Sequence, residues 1–129
     1  MLVVDASYGV QACLVNHGFD SLGDNLLVPP VWWSEVESAL HELAWRRSIT
    51  AELATASFDR LLTAPVRERR DARLRREAWR VADDLGWAKT YDAEYVALAR
   101  LMRCRLLTID LRLRRGARRA VDVVGPAEL

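Results

Sequence analysis

Lysine is almost missing from this chain: Lys89 stands alone among 19 basic residues, and the other 18 are arginine. A GC-rich genome produces that bias without any functional cause, so the choice of arginine excludes nothing by itself. Cysteine is scarce too. Cys13 and Cys104 are too few and too far apart for a disulfide framework or a thiolate metal site, and they read as core thiols of a cytoplasmic protein. His17 and His41 are isolated from each other and from any ligand spacing, which argues against histidine catalysis and against a zinc centre. No apolar run approaches the roughly 20 residues a membrane helix needs. Asp5 interrupts the apolar N-terminus and no basic region precedes it, so a signal peptide is not expected. Internal repeats, low-complexity segments and linkers are also missing.

What remains is enough for one domain over residues 1–129 with a real core, since 51% of the chain is hydrophobic. The net charge of +1 conceals a segregated distribution. Residues 1–45 hold six acids and no Lys or Arg, a net −6, whereas residues 100–119 hold eight arginines against Asp110, a net +7. The first region is a source of carboxylates. The second suits a polyanionic partner.

Short apolar runs bounded by turn-forming residues predict buried strands at "LVVD" (2–5), "LLV" (26–28), "RLLTID" (105–110) and "VDVV" (121–124). Helical patterns lie between them, at about 7–16, 31–46, 51–63, 68–85 and 92–103. The polar stretch 64–76 is expected to hold a loop leading into a solvated helix, and Gly86 to close that helix. Strands alternating with helices predict an α/β fold, with a mainly parallel central sheet flanked by helices. Ligands of such sheets gather at the carboxyl ends of the strands, where Asp5 and Asp110 are both placed.

A helical wheel separates the acids of "VWWSEVESALHELAWR". Trp32, Val36, Ala39, Leu40 and Leu43 form one apolar stripe. Glu35 falls roughly 80° from its centre and Glu37 roughly 120°, so Glu35 borders the buried face and Glu37 points into solvent. "YDAEYVALARLM" is apolar around most of its circumference and should pack on more than one side, with Asp92 as N-cap or first-turn acid. Asp83 and Asp84, at a helix end with nothing converging on them, are expected to be solvent-exposed. At least two of Trp32, Trp33 and Trp45 are expected in the core, and their helix surfaces otherwise offer an interface.

The order "VVDAS", "SEVESAL", "YDAEYVALA", "LLTID" resembles the PIN-domain ribonucleases, in particular the VapC-type toxins of bacterial toxin–antitoxin modules, over residues 2 to about 124. The resemblance implies a PIN-like domain whose site acids are Asp5, Glu35, Asp92 and Asp110, with Thr108 as the hydroxyl residue of the site. It also implies endonucleolytic cleavage of RNA, neutralisation by a small cognate antitoxin, and a homodimer. The chemistry is consistent. Converging carboxylates repel, and Mg²⁺ or Mn²⁺, which prefer oxygen ligands, relieves that repulsion while activating phosphodiester hydrolysis.

Arg112, Arg114, Arg115, Arg118 and Arg119 follow the fourth acid and are placed to attract RNA phosphates. Arg67, Arg69, Arg70, Arg73, Arg75, Arg76 and Arg80 are offset by Glu68, Asp71 and Glu77, as on a solvated helix face. No compact aromatic motif for base stacking is evident. Two other readings compete. A receiver-like signalling domain also places acids at strand ends, but Lys89 precedes the helix at 92–103 and Asp5 lacks a paired acid beside it. A PIN-fold module that binds RNA or a partner without cutting it would not need the full acid set.

Overall fold

The strand-forming runs assemble side by side. The computed structural model describes residues 1–129, with five strands: β1 Leu2–Val4, β2 Leu26–Val28, β3 Arg67–Glu68, β4 Arg105–Leu107 and β5 Val123–Val124. All pairings are parallel, in the order β3-β2-β1-β4-β5. Central β1 pairs Leu2 with Leu26 on one side and with Arg105 on the other. A parallel sheet is covered on both faces, so its strands are continuous apolar runs, as "LVV" and "LLV" are. Each fully buried Val or Leu there contributes about 1.5–3 kcal/mol.

Six helices flank the sheet: α1 Ala6–Cys13, α2 Val31–Trp45, α3 Ala51–Leu62, α4 Leu74–Leu85, α5 Tyr91–Met102 and α6 Leu111–Ala117. Helix α5 is buried without interruption from Ala93 to Ala99. It packs against α4 on one side and against β1 and β4 on another, as its nearly all-round apolar surface predicts. Helix α4 turns Leu74, Ala78, Val81 and Ala82 inward and its arginines outward. Gly86 closes it at φ 71°, a left-handed conformation that glycine adopts without strain.

The structure departs from the sequence expectations at several elements. The predicted helix 7–16 stops at Cys13, and the predicted helix 68–85 begins only at Leu74. The residues before Leu74 supply the two-residue edge strand β3 and a loop. The predicted strands 105–110 and 121–124 shorten to Arg105–Leu107 and Val123–Val124. Asp110 therefore lies beyond its strand and caps α6, an element the apolar pattern does not reveal. The arginines from 112 to 115 are helical. Cys13 is buried and Cys104 half-buried, both as free thiols. No helix is long and apolar enough to cross a membrane.

Trp32 is 0% exposed, Trp33 packs partly buried against the core, and Trp45 is 78% exposed. Trp32 cannot serve an interface. Its indole lies against α1 at Gly9, where an added Cβ would stand 2.7 Å from the ring. Its Nε1–H donates to the Asp5 carbonyl at 3.1 Å.

Candidate functional site

Strand order creates the crevice. From β1 the chain winds to β2 and β3 on one side, then returns to place β4 and β5 on the other. Connections leaving β1 and β4 diverge, and a cleft opens between their carboxyl ends. Asp5 follows β1, and Thr108 and Asp110 follow β4. The backbone ties the two ends together, because the Asp5 N–H donates to the Leu107 carbonyl at 3.1 Å.

Asp5 is 3% exposed and caps α1, its Oδ1 accepting from the Tyr8 N–H at 3.0 Å. Three further hydroxyl contacts hold it. Thr108 donates to Oδ2 at 2.5 Å, and Ser7 reaches Oδ1 at 2.8 Å and Oδ2 at 2.9 Å. Burial pushes the Asp5 carboxyl up to about 6, against the pull of Thr108, Tyr8 and Ser7, and the charge of Asp110 adds to the rise.

Glu35 enters from the border of the α2 apolar stripe and accepts a 2.5 Å hydrogen bond from the Tyr95 hydroxyl of α5. Burial raises its carboxyl above the usual range, the Tyr95 bond opposes this, and the charges of Asp92, Glu94 and Asp5 push it further. Asp92, in the first turn of α5, is likewise raised by burial and by Asp110, with Arg112 opposing. Thr90 precedes that helix without a side-chain cap, so Asp92 is a first-turn acid and its carboxylate is free to face the crevice. Asp110 Oδ1 accepts from the N–H groups of Arg112 and Leu113, which leaves Oδ2 as its free edge. Arg112 Nη2 lies 3.8 Å from Asp92 and 4.0 Å from Asp110, a long and exposed pairing of little energetic weight.

Glu35 and Asp92 line one cavity, Thr108 bonds to Asp5, and the charges of Asp110 on Asp5 and Asp92, and of Asp5 and Asp92 on Glu35, place the four acids in one neighbourhood. Glu37 is exposed, as are Asp83, Asp84, His17 and His41. No three acidic, histidine or cysteine side chains close into a ready cage around one ion. The donor set still suits Mg²⁺ or Mn²⁺. Mg²⁺ retains several waters and takes only one or two direct carboxylates, and a divalent cation would offset both the burial that chiefly raises these carboxyls and the smaller repulsion among them.

Three residues escaped the sequence reading. Ser7 was visible in "DAS" as a hydroxyl two positions after the strand-end acid. Tyr95 was hidden by its apolar helix, because only its hydroxyl reaches the site. Glu94, 5% exposed on the same helix, pairs with Arg75. A carboxylate inside an apolar run was the signal for it.

The chain belongs to the PIN-domain family, whose family model matches residues 15–119. Its relatives there are VapC ribonucleases. Ribonuclease VapC9 of Mycobacterium tuberculosis is 34% identical over 115 residues, covering 88% of each protein. Two solved structures share the fold. PAE2754 from Pyrobaculum aerophilum has a TM-score of 0.72 at 23% identity, over 94% of this chain and 87% of that one. VapBC2 from Rickettsia felis, bound to a DNA fragment from its promoter, has a TM-score of 0.66 at 10% identity, over 97% and 98%.

Proposed function

We propose that this protein is a metal-dependent endoribonuclease, the toxin of a toxin–antitoxin module, acting on RNA in the cytoplasm. What supports the reading is the pairwise charge influence linking Asp5, Glu35, Asp92 and Asp110, in a chain that belongs with the VapC ribonucleases. These four would hold Mg²⁺ or Mn²⁺, which supplies concentrated positive charge for a phosphodiester and an attacking water. Thr108 and Ser7 fix both oxygens of Asp5, and Tyr95 fixes Glu35, so two of the acids are oriented before substrate arrives. Arg112 reaches over Asp92 and Asp110 from the rim, where it can turn to a phosphate. A small antitoxin and a second copy of the chain are the proposed protein partners. Exposed Trp45 and Phe58 line a groove between α2 and α3 that suits docking.

Purified protein should generate new RNA ends with Mg²⁺ and none with chelator, and sequencing of cellular RNA ends after brief expression should identify the target. Intact RNA in both experiments would overturn the reading. The receiver-like alternative requires acid-labile phosphorylation of Asp5 instead.

Thr108→Val provides a finer test. The Thr108 hydrogen bond is the strongest influence holding the Asp5 carboxyl down, so its loss moves that carboxyl above about 6. A larger fraction is then protonated at neutral pH, and protonated Asp5 cannot serve as a charged ligand. Cleavage at pH 7 should fall about twofold for a rise of about one unit, more at lower pH, and recover as pH rises, read from the pH–rate profile. A uniform loss at every pH would contradict this role.

A further inference from the structure

Beside the acids lies a second feature, a cavity of about 570 Å³ lined by Glu35, Trp87, Lys89, Tyr91, Asp92 and Arg112 among others. Its far wall is the α4–α5 connection. Gly86 turns the chain out of α4, and the Trp87 N–H folds back to the Ala82 carbonyl at 2.8 Å. The Trp87 ring is then wedged against α6 at Gly116, where an added Cβ would stand only 3.0 Å from the indole. The backing is rigid and the rim is open. Tyr91 is 56% exposed, one residue before the acid Asp92.

The lining is chemically mixed. Glu35 and Asp92 supply carboxylates, Lys89 and Arg112 supply cations, and Trp87 and Tyr91 supply aromatic surface. The only lysine of the chain lies in this connection, between the two aromatic residues. Cation, aromatic plane and adjoining phosphodiester-processing acids are together what one unpaired nucleotide of a strand presents a use for: its phosphate pairs with the cations and its base stacks on an aromatic face. We infer that this cavity is a nucleotide subsite, seating one unpaired RNA nucleotide next to the scissile bond, with Tyr91 and Trp87 against the base and Lys89 at its phosphate. The inference rests on the ribonuclease reading above and names how its substrate is held. It requires single-stranded or looped RNA at the cut, because a paired base cannot turn into the cavity.

The test uses the full chain carrying Asp5→Asn, which is expected to leave RNA intact, in magnesium buffer. The probe is a short, fluorescein-labelled, single-stranded RNA of randomised sequence containing iodouridine. Irradiation should join the iodinated base to Tyr91 or Trp87. Adding Tyr91→Ala should weaken binding about tenfold without altering its salt dependence. Adding Lys89→Gln should lower the slope of log affinity against log salt by about 0.7, the share of one single-strand phosphate. Trp79→Ala, at an exposed aromatic on α4 outside the cavity, should change neither. Adducts confined to other aromatic residues, or parental binding by both the Tyr91→Ala and Lys89→Gln chains, would overturn the subsite. Cleavage by the chain with Asp5 intact is assayed separately. RNA cutting that is indifferent to Tyr91 removes the subsite and leaves the ribonuclease, whereas Tyr91-dependent binding without cutting does the opposite.

Discussion

Asp5→Asn is expected to abolish RNA cleavage and, in metal-free buffer, to make the protein more stable. The two effects share one cause. Asp5 is 3% exposed and its carboxyl is pushed up to about 6 by burial, so its charge is costly in the folded state. In the unfolded chain it ionises near 3.8. For an acid with a raised folded value, the stability present below pH 4 is lost as pH climbs through about 6. The loss at pH 8 is on the order of 2–3 kcal/mol. Asparagine keeps the shape and the cap on Tyr8 without the charge. The variant should therefore melt about 5–10 °C above the parent at pH 8 and level with it at pH 4, read by calorimetry in chelator. Adding Mg²⁺ should raise the parent's melting temperature more than the variant's, because only a folded state with its ligand intact gains from binding. Losing an outer-sphere partner of a metal ligand typically costs 10–100-fold, so loss of the ligand itself should exceed about 100-fold in rate. A variant that cuts RNA at the parental rate would sink the assignment of Asp5.

Trp32→Ala is expected to have the largest effect on folding. The side chain is fully buried, stands edge-on to Trp33 with ring centroids 4.9 Å apart, and braces α1 at Gly9. Removing it opens a large cavity at the junction of α1, α2 and β1, at a cost of about 3–5 kcal/mol. That is a large part of the 5–15 kcal/mol typical of a domain. The Asp5 carbonyl would keep its bond from the Gly9 N–H at 3.1 Å, so the loss is chiefly one of packing. Trp45→Ala, at the exposed end of the same helix, should stay within about 0.5 kcal/mol. Denaturant titration of both variants checks the contrast. Equal losses would mean that the burial contrast does not govern this helix.

These two tryptophans show what the sequence could and could not convey. The apolar stripe placed Trp32 inward. Nothing in "VWW" disclosed that its N–H would support the backbone of the first site acid, since that contact joins residues 27 positions apart. Glu35 was legible because a helical wheel depends on local geometry alone. Asp5 and Asp110 were legible as acids following apolar runs. Thr108 was legible only through family resemblance, and the structure supplies the reason: its hydroxyl also accepts from the Asp110 N–H at 3.0 Å, joining two of the acids. Helix α6 was not legible. Four of its seven residues are arginine or glycine, which leaves too few apolar positions for a period to register. Edge strand β3 was missed because two charged residues at a sheet margin carry no apolar pattern.

The split origin of the crevice also has a meaning for biosynthesis. Asp5 follows the first strand, whereas Thr108 and Asp110 follow β4, about a hundred residues later in the order of synthesis. Until then the central strand lacks a neighbour, and no nascent fragment holds the complete set of carboxylates. A chain made only as far as α5 therefore has a first acid but no site, and the carboxylates can come together only once β4 has docked beside β1.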